Sequence, residues 1–270
     1  MPELPEVEVT RRGLLPVLAG RRLTEVVVRE PRLRYPVPED LGARLTGRRL
    51  VDIARRGKYL LLRFDNGTLI VHLGMSGSLQ ASHAGQAAGK HDHVELRFGE
   101  IAARFHDPRR FGSLLWGGAD PLGHPLLRGL GAEPLSAEFT AEGLFQASRG
   151  RSTPVKPFLM DGRVVAGVGN IYASESLFRS GIDPRTAAGR IGRMRWARLH
   201  EAIRATLEAA LDAGGSSVRD FVGGDGNPGY FQQQYFVYGR ERQPCRLCGT
   251  PIRVLRQAQR ASYFCPRCQR

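Results

Sequence analysis

The first residues of the chain combine a proline with two carboxylates, and together they could perform covalent chemistry on an aldehyde carbon. After removal of Met1, Pro2 would carry a secondary amine with a pKa of about 8, so about a tenth of it is unprotonated at neutral pH. Attack of this nitrogen on an aldehyde carbon gives an iminium ion, which withdraws electrons. Glu3 is its neighbour and Glu6 follows one helical turn later, so both carboxylates could move protons. A frayed terminus without a function is the alternative, and the rest of the chain has to decide.

All four cysteines lie in the last 26 residues, in the pattern Cys245-x2-Cys248-x16-Cys265-x2-Cys268. Their number and spacing are typical of a tetrahedral zinc site, because each Cys-x-x-Cys pair can form a tight knuckle around the metal. Four thiolates leave no open position for catalysis. We therefore predict one structural Zn2+ ion, with redox-active cysteines as the alternative.

The sixteen residues between the two cysteine pairs can form a hairpin that carries Arg253, Arg256 and Arg260. We expect these arginines to contact phosphates, although a solvated basic face would have the same composition. The whole chain has 40 Lys and Arg against 26 Asp and Glu, a net charge of +14 and a pI near 10.6. This excess indicates a polyanionic partner, with nucleic acid first and an anionic membrane surface second.

The sequence shows neither a membrane-spanning segment nor a secretion signal. No apolar run approaches the roughly 20 residues needed to span a bilayer. The start contains acids and prolines where a signal peptide needs a cationic and then an apolar run. The sequence also has no basic amphipathic helix with a bulky apolar face, which disfavours binding to a membrane surface. We therefore expect a cytoplasmic protein that does not bind a membrane.

Hydrophobic periodicity predicts an α+β protein with two domains and a metal-binding tail. A helix is expected at Pro5–Leu18, closed by Pro16 and Gly20. Short strands with an Asp65-Asn66-Gly67 turn and a Gly99-Glu100 turn then predict a β-sandwich or barrel. The strands are Val26–Val28, Leu50–Ile53, Tyr59–Phe64, Thr68–Leu73, His93–Phe98, Ile101–Phe105 and Ser113–Trp116. Helices follow at Glu138–Ser148, Pro154–Met160, Ile171–Arg179 and Arg193–Ala213, the last with an apolar stripe that starts at Met194.

Several connecting segments have compositions that suit nucleic-acid recognition. Met75 and Phe111 lie in glycine-flanked loops, where an apolar side chain can wedge into a base stack, although most such residues belong to a core. Gly167-Val168-Gly169-Asn170 precedes a helix and could approach an anion, but alone it is better explained as a tight turn between helices. His83–Lys90 is expected to be a mobile surface loop. The long, glycine-rich segment Ser216–Gln234 is either functional or disordered.

Taken together, these stretches resemble the bacterial formamidopyrimidine-DNA glycosylase family, also described as 8-oxoguanine DNA glycosylase/AP lyase. The resemblance covers the whole chain, and its motifs occur in the family's order. They are Pro2-Glu3-Leu4-Pro5-Glu6-Val7-Glu8, Lys58-Tyr59-Leu60-Leu61, His72-Leu73-Gly74-Met75-Ser76-Gly77, Asp107-Pro108-Arg109-Arg110-Phe111-Gly112, Gly167-Val168-Gly169-Asn170-Ile171-Tyr172-Ala173 and the four-cysteine tail.

The resemblance implies a fold and a domain organisation. It implies an N-terminal β-sandwich with an N-terminal helix, then a helix-two-turn-helix domain and a zinc-finger β-hairpin, with damaged double-stranded DNA in the cleft between the two domains. The corresponding ranges are 1–131, 132–234 and 235–270. The protein is expected to act as a monomer.

The resemblance also implies a reaction and the residues that perform it. Pro2 would attack C1′ of the damaged nucleotide and expel an oxidised purine, with Glu3 as proton donor and acceptor. Lys58 would donate a proton in β-elimination and Arg260 in δ-elimination.

Further residues would bind the DNA and replace the extruded base. His91, Arg110, Arg151, Asn170 and Arg260 fall where the family contacts DNA. Three others would fill the gap in the base stack, and the segment 216–234 would cover the flipped base. These three are Met75, Arg109 and Phe111.

Two rival functions remain open at this point. One is the endonuclease VIII branch, which has the same fold but removes oxidised pyrimidines; it usually has Gly in place of Leu4 and lacks the Arg109-x-Phe111 pair. The other is a non-catalytic DNA-binding protein with a zinc ribbon, which needs neither a free Pro2 amine nor a wedge.

Overall fold

The chain divides into two structural units in the computed structural model, which describes residues 1–216 and 230–270. The first unit contains Met1–Arg128 and Ala213–Tyr230, and the second contains Gly129–Asp212 and Phe231–Arg270. The domain ranges 1–131, 132–234 and 235–270 stay predictions. No helix in the described ranges has both the length and the apolar character needed to cross a membrane.

The first unit is a β-sandwich with a helix at its N-terminus. Its helices are α1 (Leu4–Leu18) and α2 (Leu41–Leu45). Its strands are β1 (Glu25–Val28), β2 (Leu50–Arg56), β3 (Tyr59–Phe64), β4 (Gly67–His72), β5 (Ser78–His83), β6 (Asp92–Phe98), β7 (Ile101–His106) and β8 (Ser113–Gly118). They form two antiparallel four-stranded sheets, in the orders β2-β3-β4-β8 and β1-β6-β7-β5.

One hydrophobic core joins α1 to both sheets of this unit. Leu14 and Leu18 of α1 lie in the same buried cluster as Leu62 of one sheet and Phe105 of the other. Short strands rich in branched and aromatic residues supply the apolar side chains that fill the space between the two sheets. The predicted β-sandwich is confirmed.

Three local predictions in this unit were wrong or incomplete. Pro16 lies inside α1 and does not close it. The ring removes one late hydrogen bond, but burial of Leu18 in the core keeps the last turn helical. Strand Ser78–His83 was missed because only Leu79 and Ala81 give it an apolar face. The loop predicted at His83–Lys90 begins one residue later, because His83 is the last residue of β5.

The second unit contains the predicted helices and a two-stranded hairpin. Its helices are α3 (Ala141–Ser148), α4 (Val155–Met160), α5 (Asn170–Arg179) and α6 (Arg193–Asp212), and its strands are β9 (Arg253–Gln257) and β10 (Arg260–Phe264). Helix α3 begins later than predicted because the Thr140 hydroxyl caps it by accepting a hydrogen bond from the Gly143 amide at 3.0 Å. The apolar stripe of α6 is buried from Trp196 to Leu207, but Met194 is 83% exposed and does not belong to it.

A buried carboxylate organises the chain just before the cysteine-rich tail. Glu175 of α5 is inaccessible to solvent and accepts hydrogen bonds from the amides of Phe236, Val237 and Tyr238 at 2.8–3.0 Å. Burial raises the pKa of Glu175, against the effect of these three donors. The carboxylate thereby fixes an irregular stretch that packs through Val237 against Cys245 and Cys265.

A neutral histidine shapes the loop after β4. The His72 Nδ1 atom accepts a hydrogen bond from the Gly74 amide at 3.0 Å, which requires this nitrogen to be unprotonated. Burial, with the charges of Lys58 and Arg34, lowers the pKa of His72 from 6.5 to about 4. The imidazole is therefore uncharged at neutral pH.

We predict that His72 makes the protein less stable in weak acid. In the unfolded chain the imidazole binds a proton below pH 6.5, but in the folded protein it does so only near pH 4. The unfolding free energy should therefore fall by about 3 kcal/mol as pH decreases through this window. His72→Asn keeps an acceptor for the Gly74 amide but cannot titrate, so chemical denaturation of the variant should lack this part of the pH dependence. Equal slopes in both proteins would contradict the prediction.

Candidate active site and nucleic-acid interface

The start of α1 is buried and is held by a reciprocal pair of carboxylates. Pro2 is buried, and Glu3 and Glu6 are each 2% exposed. Glu3 is the N-cap of α1; the Glu6 carboxylate accepts a hydrogen bond from the Glu3 amide at 2.8 Å, and the Glu3 side chain accepts one from the Glu6 amide. This capping box fixes the backbone on which the Pro2 nitrogen lies.

The Glu6 carboxylate also contacts the base of a long connecting segment. Its second oxygen accepts a hydrogen bond from the Ser216 amide at 2.9 Å. Ser216 and Tyr230 form an isolated β-bridge, and a short 3-10 helix follows at Phe231–Gln234. The segment 216–234, which is expected to cover the flipped base, is therefore described at Ser216 and from Tyr230 onwards. Its residues 217–229 lie outside the described part of the chain.

Lys58 lies in the turn between β2 and β3 and is half-buried. Its charge contributes to the low pKa of His72, which places the ammonium group near the residue that precedes the Met75 loop. A positive charge at this point suits proton donation or the binding of a phosphate.

One buried carboxylate joins the two glycine-flanked loops. Asp107 is inaccessible to solvent; its two oxygens accept hydrogen bonds from the Ser76 hydroxyl at 3.0 Å and from the Gly112 amide at 2.8 Å. Gly74 has φ +67°, and a Cβ there would lie 2.4 Å from the backbone of Phe111 and Gly112. The loops after β4 and β7 are therefore packed together. Sequence reasoning did not single out Asp107, although it is the one acid in a basic loop.

The predicted wedge residues lie on these loops and are accessible. Met75 is half-buried, Arg109 is exposed and the Phe111 ring is 42% exposed. The Arg109 guanidinium lies over the Phe111 ring at 4.8 Å from its centroid, a cation–π arrangement. A core position for Phe111 is therefore excluded, and a flat surface of charge and aromatic ring faces solvent.

The other predicted DNA contacts of the first unit lie at the same end of strands β6 and β7. His91 precedes β6, and its ring lies 5.8 Å from that of His106 and 6.2 Å from that of His93, measured between centroids. Arg110 has φ 55° and donates a hydrogen bond to Glu30 at 3.2 Å. Both side chains are partly or fully accessible.

In the second unit, the predicted contacts lie on a helix start and on exposed turns. Asn170 is the first residue of α5, after the N-cap Gly169, so it lies at the positive end of the helix dipole. The Asn170 Oδ1 atom is buried and has no hydrogen-bond partner among the described residues. Arg151 is exposed beyond α3, and Arg260 is exposed at the start of β10.

The four cysteine sulfurs form a cluster that fits a tetrahedral metal site. All four Sγ atoms lie within 4.8 Å of one another, with 3.9 Å between Cys245 and Cys268 and 3.5 Å between Cys248 and Cys265. Tetrahedral zinc with Zn–S bonds of about 2.3 Å needs sulfurs about 3.8 Å apart. The hairpin of β9 and β10 lies between the two pairs and exposes Arg253, Arg256 and Arg260.

Comparison with family models agrees with this geometry in three separate stretches. Residues 1–114 match the formamidopyrimidine-DNA glycosylase N-terminal domain, and residues 130–222 match the helix-two-turn-helix domain of the same proteins. Residues 242–270 match a zinc finger found in these glycosylases and in isoleucyl-tRNA synthetase. With the sulfur cluster, this match establishes that the protein holds one structural zinc ion.

Full-length relatives and solved structures show similarity along the entire chain. The formamidopyrimidine-DNA glycosylases of Aromatoleum aromaticum and Pseudomonas aeruginosa are 60% and 58% identical, with both chains covered completely. The crystal structure of the MutM (Fpg) protein from Thermus thermophilus has a TM-score of 0.90 at 41% identity, covering 99% of this chain and 98% of that one. A Lactococcus lactis Fpg mutant in complex with Fapy-dG-containing DNA has a TM-score of 0.94 at 33% identity, with complete coverage of both chains. The buried Pro2-Glu3 start, the paired loops and the four-cysteine cluster thus occur in a chain that belongs to the formamidopyrimidine-DNA glycosylase family.

Proposed function

We propose that this protein is a base-excision-repair enzyme that removes oxidised purines, such as 8-oxoguanine and formamidopyrimidines, from double-stranded DNA and then cuts the strand. The observation that carries the proposal is the buried start of α1. There a capping box fixes Pro2 and Glu3, and the same Glu6 carboxylate holds the base of the segment 216–234.

In the glycosylase step, the Pro2 nitrogen forms a bond to C1′ of the damaged nucleotide while the bond from C1′ to the base breaks. The base leaves with the electron pair of that bond and takes up a proton. The bonded nitrogen then loses its proton, and its lone pair forms the C1′ iminium ion as the bond from C1′ to O4′ breaks. The ring oxygen takes up a proton, and the sugar ring is open. Glu3 supplies and accepts protons at the sugar, because it is the residue next to Pro2 and is buried with it.

In the lyase steps, the iminium ion acidifies the C2′ proton. Loss of this proton expels the 3′ phosphate by β-elimination, with Lys58 as the proton donor. A second loss, from C4′, expels the 5′ phosphate by δ-elimination, with Arg260 as the donor. Water then hydrolyses the remaining iminium ion, which frees Pro2 and releases the sugar remnant as an unsaturated aldehyde, leaving a gap between two phosphates.

The paired loops support extrusion of the lesion from the duplex. Removing a base from the stack costs a few kcal/mol unless another group replaces it. Phe111 and Met75 provide apolar surface for this gap. The Arg109 guanidinium, stacked on the Phe111 ring, can donate hydrogen bonds to the opposite cytosine. This arrangement favours an oxidised purine paired with cytosine over an oxidised pyrimidine.

The remaining contacts hold the phosphates of the damaged strand. His91 and Arg110 belong to the first unit, and Arg151, Asn170 and Arg260 belong to the second. Asn170 offers its amide nitrogen next to the positive end of α5, and the net charge of +14 steers the polyanion towards the protein. We propose that the protein acts as a monomer in the cytoplasm.

We predict that borohydride traps the wild-type protein on DNA that contains 8-oxoguanine opposite cytosine. Pro2→Gly should lower the trapped fraction, and an extra residue before Pro2 should abolish it, because the nitrogen becomes an amide. Pro16→Ala, in the same helix, is the matched control and should trap normally. Mass spectrometry of the adduct identifies the linked residue. A link to another side chain would contradict the mechanism, and failure of the wild type to trap would favour a non-catalytic DNA-binding protein.

We predict that Gly74→Ala impairs lesion extrusion more than strand cutting. The new Cβ would push the Met75 loop away from Phe111. Single-turnover excision of 8-oxoguanine should slow at least about tenfold more than cleavage at a preformed abasic site. Gly99→Ala is the matched control, since Gly99 has φ +74° with no atom within 4 Å of an added Cβ. Equal effects on both substrates would show that the packing of the loops does not position the wedge.

We predict that Cys265→Ser weakens DNA binding by loosening the arginine-bearing hairpin. Without the fourth thiolate the zinc ion is lost or loosely held, and so short a segment has little other core. Affinity measured at several salt concentrations should fall, and its salt dependence should become shallower because fewer phosphates are contacted. Wild-type protein treated with a chelator should behave like the variant. Unchanged affinity with unchanged metal content would show that these cysteines do not hold the hairpin.

A further inference from the structure

A buried lysine that the proposed reaction does not use contacts the zinc-finger hairpin. Lys156 of α4 is 1% exposed. Its ammonium group donates hydrogen bonds to the Ala261 carbonyl at 2.6 Å and to the Ser262 hydroxyl at 2.9 Å. Burying an ammonium group is unfavourable unless its donors are satisfied, so these contacts hold the lysine and β10 together.

The contacts of Lys156 continue as a directed chain of hydrogen bonds into the tip of the hairpin. The Ser262 hydroxyl donates to the Gln257 side-chain carbonyl at 2.8 Å. The Gln257 side-chain amide donates in turn to the Pro184 carbonyl at 3.1 Å. Because Ser262 accepts from Lys156 and donates onwards, the bonds reinforce one another.

Gln257 is the residue that closes the turn before Arg260. The two residues are paired in the hairpin, and only Ala258 and Gln259 connect them. Both of these have positive φ, 45° and 62°, a conformation that L-residues other than glycine, asparagine and aspartate seldom adopt. Two-residue hairpin turns of this hand favour Asn-Gly. The residues of the turn therefore do not favour its backbone conformation, so contacts with other parts of the second unit must stabilise the hairpin.

Packing beside the turn is incomplete. A cavity of about 220 Å3 lies between α4 and the hairpin tip. It is lined by Lys156, Pro157, Met160, Asp161, Gln257, Ala258 and Arg260. The cavity leaves room for the turn to shift, so the hydrogen bonds from Lys156 have to supply the restraint that close packing would otherwise give.

We propose that Lys156 is a positioning residue for Arg260. Its buried ammonium group, acting through Ser262 and Gln257, keeps the strained turn in the shape that directs the Arg260 side chain to its phosphate. The proposal rests on the role of Arg260 in δ-elimination given above. Lys156 itself acts from inside the second unit and needs no contact with the lesion.

The test measures the ratio of δ- to β-elimination products on abasic-site DNA under single-turnover conditions. Lys156→Met should lower this ratio about tenfold, because a small displacement of a proton donor has a large effect on rate. Ser262→Ala keeps the buried charge but breaks the chain, and should change the ratio in the same direction. Ala258→Asn with Gln259→Gly, added to Lys156→Met, should restore much of the ratio by favouring the turn locally.

Arg260→Ala provides the reference, and Arg128→Met controls for the loss of one exposed charge in the first unit. If the role is positioning, Lys156→Met should cause no further loss in the Arg260→Ala background. Zinc content and thermal unfolding identify any variant that has lost its fold. If Lys156→Met is such a variant, the product ratio of Ser262→Ala tests the proposal instead.

The outcomes distinguish the role of Lys156 from the role proposed for Arg260. An unchanged product ratio in Arg260→Ala would refute the role proposed for Arg260. If Arg260→Ala loses δ-elimination, the inference alone is refuted by an additive effect of Lys156→Met, by normal ratios in Lys156→Met and Ser262→Ala, or by a turn substitution that restores nothing.

Discussion

The candidate site depends on how a single carboxylate, that of Glu6, distributes its two oxygens. One oxygen accepts a hydrogen bond from the Glu3 amide and so helps to start α1. The other accepts one from the Ser216 amide, close to the point where the chain returns to the first unit at Ala213. The helix start that carries the nucleophile and the segment expected to cover the lesion are therefore held by the same carboxylate. A terminus that would otherwise fray is held rigid where covalent chemistry needs a fixed nitrogen.

The charges of the first unit are divided between scaffold and surface. Glu8 binds Arg11, Arg12 and Arg55; burial opposes its ionisation, but the hydrogen bonds and charges of these arginines lower its pKa. Arg109, by contrast, is exposed, and its guanidinium lies over the Phe111 ring. In a chain with a net charge of +14, buried acids thus fix some arginines within the fold, while others are presented to a polyanion.

Sequence patterns predicted the element types well and the supporting contacts poorly. The run of apolar and aromatic residues in Tyr59–Phe64 and the Cys-x-x-Cys pairs are local features of the sequence, and both have the predicted form. The strand Ser78–His83 was missed because its apolar face is small. Asp107 and Lys156 were missed because their partners, such as Ser76 and Ser262, are far away in sequence and only the fold brings them together. For the same reason, the roles of the predicted site residues stay predictions until DNA is bound.

Glu175 has a consequence for how the second unit fluctuates. The amides of Phe236, Val237 and Tyr238 belong to no helix or strand, yet all three donate to a carboxylate that solvent does not reach. Their protons can exchange with solvent only when this stretch separates from α5. Deuterium uptake at these three positions therefore reports the opening of the packing between α5 and the cysteine-rich tail, a motion that no regular secondary structure in the stretch would reveal.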